Sequence, residues 1–523
     1  MRKFVYITLQ FVLVMSMLSG CRNSEKTEEV SVAEKQYEIT LETLRSDLNE
    51  QRKQEVMKPL VHTIEDYGII EKDDKANFSD DEVEKYSTWV HFQNKITRSE
   101  ALEDIDELMR LLKTSYGGYN YFGGDEKFGE AKERMIKRVN ETYDDNMDIS
   151  YPFYLIIKEE MAFVQDSRLR IGRSDSYFSK EYIYYDTEKR NFLEDEDGFY
   201  TVIDGQNWYL SAEDEKYLHI TVSDKGALVY GLFLMTKDIS SLPQYISLKS
   251  KNGKEYKADT TWTITDVGPR SDNQNIIHNY YEIDGIPVSS LTEMSVGFHN
   301  VKMTNEFINE AKELRNKKIF ILDLRNNIGG INEIADFFMY NLTGSRCDGK
   351  IQFVKRYSQI NKNIEEIIDN NKELSDLSSV DFYNANKDLV DSWIDERKCG
   401  NKVDDGKTVI IDNKAKWNNY DNTIIVLINK NTMASAEYFL SELATVSNVV
   451  IMGTNSNGCM VTDNIIDAAD IYLYNTGIPI NYSPTLMIHD NMDGFDTKGW
   501  MPDIITRGDA LDTAIELINN SEK

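Results

Sequence analysis

Three uninterrupted apolar runs, Ile319-Phe320-Ile321-Leu322, Ile424-Ile425-Val426-Leu427-Ile428 and Val449-Val450-Ile451-Met452, constrain this chain more than any other feature. A strand with one wet face alternates apolar and polar residues, so strands this uniformly apolar must be covered on both faces, as in a parallel sheet wrapped by helices. The intervening segments supply the covers. Helical spacing runs through Ile334, Phe337, Phe338 and Tyr340, and again through Tyr438, Phe439 and Leu443, with a further helix expected near 304–316. The segment from about 351 to 400 is a charged, helix-leaning insertion. In strand–helix–strand units the loops that meet ligands leave the carboxyl ends of the strands. Asn326–Gly330 and Asn429–Ala434 fall at those ends.

The 523 residues divide by pattern. Residues 1–20 read as a leader and 21–95 as a polar tether and solvated helical stalk. Residues 96–190 form a helical cap whose first helix starts at the capping box Thr97-x-x-Glu100 and ends at Gly117-Gly118, followed by helices at about 125–140 and 151–164. Residues 191–295 switch to period two, with Tyr200, Val202, Trp208, Leu210, His219, Thr221, Leu228 and Tyr230 among short runs, an antiparallel β module. Asp204-Gly205 and Asn252-Gly253 are its hairpin signals. Residues 296–523 are the α/β core. The fold class is therefore α/β, α+β overall.

The leader sets the compartment. Arg2 and Lys3, the apolar run Phe4–Leu18 and Leu18-Ser19-Gly20-Cys21 resemble a bacterial lipoprotein signal, which implies cleavage before Cys21 and a lipid on that cysteine. The expected location is the extracytoplasmic face of a cell membrane. Loss of the leader leaves 57 basic and 89 acidic residues, a charge of −32, so lipid and not attraction to anionic headgroups would hold the chain there. With 89 acidic against 59 basic residues over the whole sequence and no Lys/Arg run, nucleic acid is excluded as a partner. Besides Cys21 there are Cys347, Cys399 and Cys459, an odd set in which a Cys347–Cys399 bridge is conceivable. Six scattered histidines and no CxxC give no local metal site, and no cofactor is implied.

Four segments carry a resemblance. "ILDLRNNIGG" (321–330), "LINKNTMASAEYF" (427–439), "VIMGTNSNGC" (450–459) and "GWMPDI" (499–504) resemble, in order and spacing, the tail-specific or C-terminal processing serine peptidases. The resemblance implies a βαβ spiral core of the crotonase/Clp-protease type, an acyl-enzyme mechanism and peptide or protein substrates. It also implies an oxyanion loop in which Gly329 and Gly330 let the backbone approach the substrate closely. Asn327 belongs to that loop, with Asp323 and Arg325 as braces; a plain helix-entry turn is the alternative for the two glycines.

The sequence departs from the family at three positions. The nucleophilic serine stands three residues before a glutamate, and three before Glu437 is Ala434. Ser435 is one residue later, which on a helix rotates the side chain by about 100°. The lysine position reads Cys459, and the histidine position of other relatives reads Arg168. Arginine cannot accept a proton at working pH. Two expectations follow: a serine peptidase with displaced chemistry, in which Ser435 (or, less simply, Cys459) is the nucleophile and the base is unidentified, or a degenerate member that binds peptide or a protein partner in the same cleft. Capping its helix is the structural alternative for Ser435.

Overall fold

A computed structural model describes residues 39–67, 78–79, 81–83, 91–144, 146, 148–172, 178–265, 276–297, 299–356, 358–363, 382–388, 403–404, 408–412, 415–463 and 471–521. The leader, Cys21 and Cys399 lie outside them. Eight longer helices organise the chain: α1 (Leu41–Met57), α2 (Arg98–Ser115), α3 (Gly124–Thr142), α4 (Tyr151–Glu160), α5 (Val301–Leu314), α6 (Glu333–Thr343), α7 (Ser435–Leu443) and α8 (Ala510–Ser521).

The core is a six-stranded sheet of β1 (His278–Ile283), β2 (Ile286–Leu291), β3 (Ile319–Asp323), β4 (Thr423–Ile428), β5 (Val449–Gly453) and β6 (Ile504–Ile505), in that spatial order. β1 and β2 form a hairpin, and every pairing from β2 to β6 is parallel. The apolar runs predict β3, β4 and β5, and the reason is visible in the packing. Phe320, Leu322, Ile424, Val426 and Ile451 face α5, α6 and α7, where Phe307, Phe338 and Phe439 meet. Ile321, Ile425, Leu427 and Val450 face the opposite layer, built from α1 and α8. Alternate residues of one strand thus enter two separate cores.

Two expectations need correction. The solvated stalk does not extend over 41–57: α1 lies on the core sheet, with Leu41 and Leu44 buried and Arg52 paired to Asp503. The hairpin 278–291, placed by its alternation in the β module, instead forms the edge of the core sheet through β2 and β3. Its turn, Asp284-Gly285, has both residues at positive φ, 51° and 80°, the geometry of a type I′ hairpin.

The β module consists of two antiparallel sheets, a five-stranded one over 193–259 and a four-stranded one that takes in Tyr182–Asp186 and Trp262–Ile264. Phe192, Trp208, Leu210, Leu232, Ile246 and Leu248 fill the space between them. Ile183 and Phe233 pack on Ile505 of β6, so the module is seated on the core. In the cap, α2 begins at the expected box: the Thr97 amide donates to Glu100 Oε2 at 2.7 Å and the Glu100 amide to Thr97 Oγ1 at 3.3 Å. From the end of that helix the Tyr116 hydroxyl donates to Asp166 Oδ2 at 2.6 Å. This bond fixes the segment 166–168 at the edge of the cleft. Among the described residues no helix is long and apolar enough to cross a membrane.

Candidate active site

Loops from the carboxyl ends of β3, β4 and β5 meet over the sheet. Arg325 grips Asp323 with Nε and Nη2 at 2.9 and 2.7 Å and reaches Asp509 with Nη1 at 2.7 Å, a brace beneath the first loop. Asn326, at φ 63°, accepts from Asn429 Nδ2 (3.1 Å) and Asn431 Nδ2 (2.9 Å) and sends its amide to Asn429 Oδ1 (3.0 Å), which locks the first loop to the second. Asn327 donates through Nδ2 to the Leu291 carbonyl and accepts the Gly329 amide at 2.9 Å. Gly329, expected to share in an oxyanion hole, thus has its N–H engaged within the loop. The Gly330 amide is the open one; Gly330 itself is exposed and at φ 146°, where a side chain would collide with the Met294 carbonyl.

The second loop ends in an elbow. Ala434 has φ 55° and ψ −120°, a strained conformation for a residue with a Cβ, and its methyl group lies against Gly329. Such a turn at a helix entry holds the nucleophile of a hydrolase up to its substrate; here it holds a methyl group. Ser435 is the first residue of α7. It is buried, and its Oγ donates to the Gly330 carbonyl at 2.7 Å. That partner is an acceptor with no basicity, so the hydroxyl is a strut between the loops. Nor does Ser435 cap its helix: Glu437 Oε2 receives the Ala434 amide at 3.1 Å and performs that task.

Glu437 is the buried centre of the site. Besides Ala434 it receives Gly458 N at 2.7 Å, Cys459 N at 2.8 Å and the Ser456 hydroxyl. Burial pushes its carboxyl above the usual range, against the pull of these donors. Cys459 is buried and its thiol is pushed up to about 12 by desolvation, which removes it as a thiolate nucleophile at neutral pH. Two of the three departures, Ala434 and Cys459, send their amides to this one carboxylate, and the third, Arg168, acts electrostatically on Cys459.

Two lysines carried no sequence signal. Lys180 donates to Ser167 Oγ (2.5 Å), the Gly458 carbonyl (2.7 Å) and the Asp496 carbonyl (2.6 Å). Three acceptors thus converge on its Nζ. Lys430 follows β4, is buried, and donates to the Ser456 carbonyl at 2.9 Å with the Tyr182 ring 5.3 Å away. Burial, and next the Lys180 charge, lower its pKa to about 7. Between about 7 and its ordinary 10.5 the unfolded chain binds a proton that the folded one does not. Stability attributable to Lys430 is therefore full above 10.5 and is lost as pH falls through about 7. Urea unfolding of wild type and Lys430→Met from pH 6 to 10 should show wild type gaining on the variant as pH rises; a flat difference would refute the shift.

Among the described residues no group of three or more His, Cys, Asp or Glu side chains is placed to hold a metal ion.

The second loop of the parallel sheet thus turns through a strained elbow into α7, beside a glycine loop with an open amide. Residues 288–506 match the family model of peptidase family S41. No curated protein matches the chain. Solved structures similar to it include mature CPAF (13% identity, 82% of this chain and 96% of that one, TM-score 0.40). Others are a lipoprotein from Streptococcus agalactiae (12%, 82% and 99%, 0.34) and the photosystem II D1 C-terminal processing protease (12%, 78% and 93%, 0.33).

Proposed function

We propose that this chain binds peptide segments in the cleft of a serine-peptidase fold without hydrolysing them. The observation that carries the reading is Ala434 at the elbow, φ 55°, where the family's chemistry needs a hydroxyl. The surrounding groups agree with it. Ser435 Oγ is tied to a carbonyl, Lys180 has its donors engaged, and neither a buried high-pKa thiol nor an arginine can take a proton from a serine. The loops that would hold a peptide are nevertheless kept rigid by the asparagine network and Glu437. A serine-directed fluorophosphonate should therefore label neither wild type nor Ser435→Ala. Labelling of wild type that disappears in Ser435→Ala would make Ser435 a nucleophile and the protein a peptidase.

The same proposal places the protein on the extracytoplasmic face of the membrane, lipidated at Cys21, on the strength of Leu18-Ser19-Gly20-Cys21 after an apolar run. In a bacterial host fed an alkyne fatty acid, wild type should take up label and partition with membranes. Cys21→Ser should do neither, and equal labelling of both would reject the anchor.

A further inference from the structure

The amino ends of the core strands lie opposite the cleft, and a cavity of about 620 Å³ opens there. Its lining comes from α1, from residues 417–421 just before β4 and from Ser447 and Asn448 just before β5. Cavities of about 300–1,000 Å³ are the usual size of small-molecule sites. One wall of this one is fixed by its own hydrogen bonds. Asn448 sits at φ 62°, a conformation that asparagine tolerates better than most residues. Its Nδ2 donates to the Tyr420 carbonyl at 2.7 Å, its Oδ1 accepts from Asn49 Nδ2 at 3.0 Å, and its amide donates to Asn49 Oδ1 at 2.8 Å. Ser447 Oγ accepts the Tyr420 amide at 2.6 Å and donates to the Tyr420 carbonyl at 2.9 Å. Helix α1 and the two loops are thereby tied into one frame.

Four other lining side chains take no part in that frame. Lys53, Trp417, Asn419 and Asp421 make no side-chain hydrogen bond or ion pair among the described residues. Trp417 is half-buried and belongs to none of the apolar clusters of the described residues, so its ring is not explained by core packing. The chemistry of the lining selects a class of ligand. No aliphatic side chain lines the cavity among the described residues, so the apolar side chains of a peptide would find little to pack on. Glu50 and Asp421 oppose a phosphate or another polyanion. An indole, an ammonium, an amide and carboxylates instead suit a pyranose ring. Such a ring offers one face of C–H groups to an aromatic and a rim of hydroxyls that both donate and accept.

A second cavity, of about 360 Å³, lies at the earlier turns of α1, where Glu42 and Arg45 line it, and it shares Asp421 with the first. From Glu42 to Lys53 the helix rises about 16 Å, a span that fits an extended ligand better than a single ring.

We propose that the amino end of the core sheet carries a carbohydrate site. A pyranose of a linear glycan stacks on Trp417, Lys53, Asn419 and Asp421 hydrogen-bond its hydroxyls, and the glycan continues along α1 toward Arg45. The site shares no residue with the cleft, so it does not depend on the peptide-binding reading.

Equilibrium dialysis of the full chain against cellopentaose, chitopentaose and maltopentaose, with the sugars quantified by mass spectrometry, tests the proposal. At least one should be retained, and the three arms separate a plain β-glucan, an N-acetylated one and an α-linked one. Trp417→Ala should weaken that retention about tenfold or more, and Trp417→Phe less, since a smaller ring keeps part of the stack. Asp421→Asn should weaken it several-fold, because a hydroxyl bonds a carboxylate more strongly than an amide. A urea midpoint close to that of wild type in Trp417→Phe and Asp421→Asn separates loss of contact from loss of fold. Retention of none of the three sugars by wild type would overturn the site. So would retention that is the same in wild type, Trp417→Ala and Asp421→Asn.

Discussion

Glu437→Ala should cost about 4 kcal/mol or more of unfolding free energy and abolish peptide retention in the cleft. The carboxylate is fully buried and takes four donors: the amides of Ala434, Gly458 and Cys459 and the hydroxyl of Ser456. Only a carboxylate accepts on every lone pair it offers; truncation leaves these donors in a dry site, and each unsatisfied group costs about 1–3 kcal/mol, less than additively. Glu437→Gln separates the causes. It keeps the volume but turns an NH2 group toward two of the same donors, so it should recover only part of the loss. Its deficit should also persist at high salt, because these are buried contacts and not screened surface charges. Urea unfolding followed by tyrosine fluorescence measures all three proteins. A deficit below about 1 kcal/mol for Glu437→Ala would mean that the elbow is held by something else, such as the asparagine network.

This result bears on what a sequence discloses. Glu437 was legible as a register mark, three residues past Ala434, because spacing along a helix is a property of the chain. That it ties the elbow to the loop after β5 was not legible, since its partners there are main-chain amides of residues 21 and 22 positions away. The uniform strands β3, β4 and β5 were readable for the opposite reason: burial on both faces leaves its mark on every residue of the strand. The hairpin 278–291 was assigned to the wrong sheet because period-two alternation reports that a strand is half-buried, not which sheet it joins. Lys180 and Lys430 gave no signal at all. A single lysine in a polar stretch looks solvated, and only the fold puts one of them on two carbonyls and a hydroxyl and the other under a tyrosine ring.

The stalk is the largest case of this kind, and it leads to the second strong expectation: Arg52→Ala should destabilise the protein by about 3–5 kcal/mol. α1 exposes most of its length, and its buried apolar residues are Leu41 and Leu44, which is why its sequence reads as a solvated helix. It is anchored by polar groups instead. Arg45 reaches Thr423 at the start of β4, Asn49 exchanges hydrogen bonds with Asn448, and Arg52 donates to the Val449 carbonyl at 2.7 Å. Arg52 also holds both oxygens of Asp503, at 2.9 and 2.7 Å. Asp503 in turn receives the Ile451 amide at 2.7 Å, just before β6 pairs with β5. Removing the guanidinium leaves a shielded carboxylate with one donor and a carbonyl with none, the situation in which a buried pair is costly to break. Arg52→Lys should recover little, because an ammonium cannot span both carboxylate oxygens and the Val449 carbonyl in the planar geometry that arginine offers. The double variant Arg52→Met with Asp503→Asn should be more stable than either single one, since no unpaired charge remains. Proteolysis gives an independent reading: α1 should become cleavable in Arg52→Ala under conditions where the α/β core stays intact. If α1 of Arg52→Ala resists protease as wild type does, the helix is held by Leu41, Leu44 and its neighbours alone, and the ion pair is a minor contact.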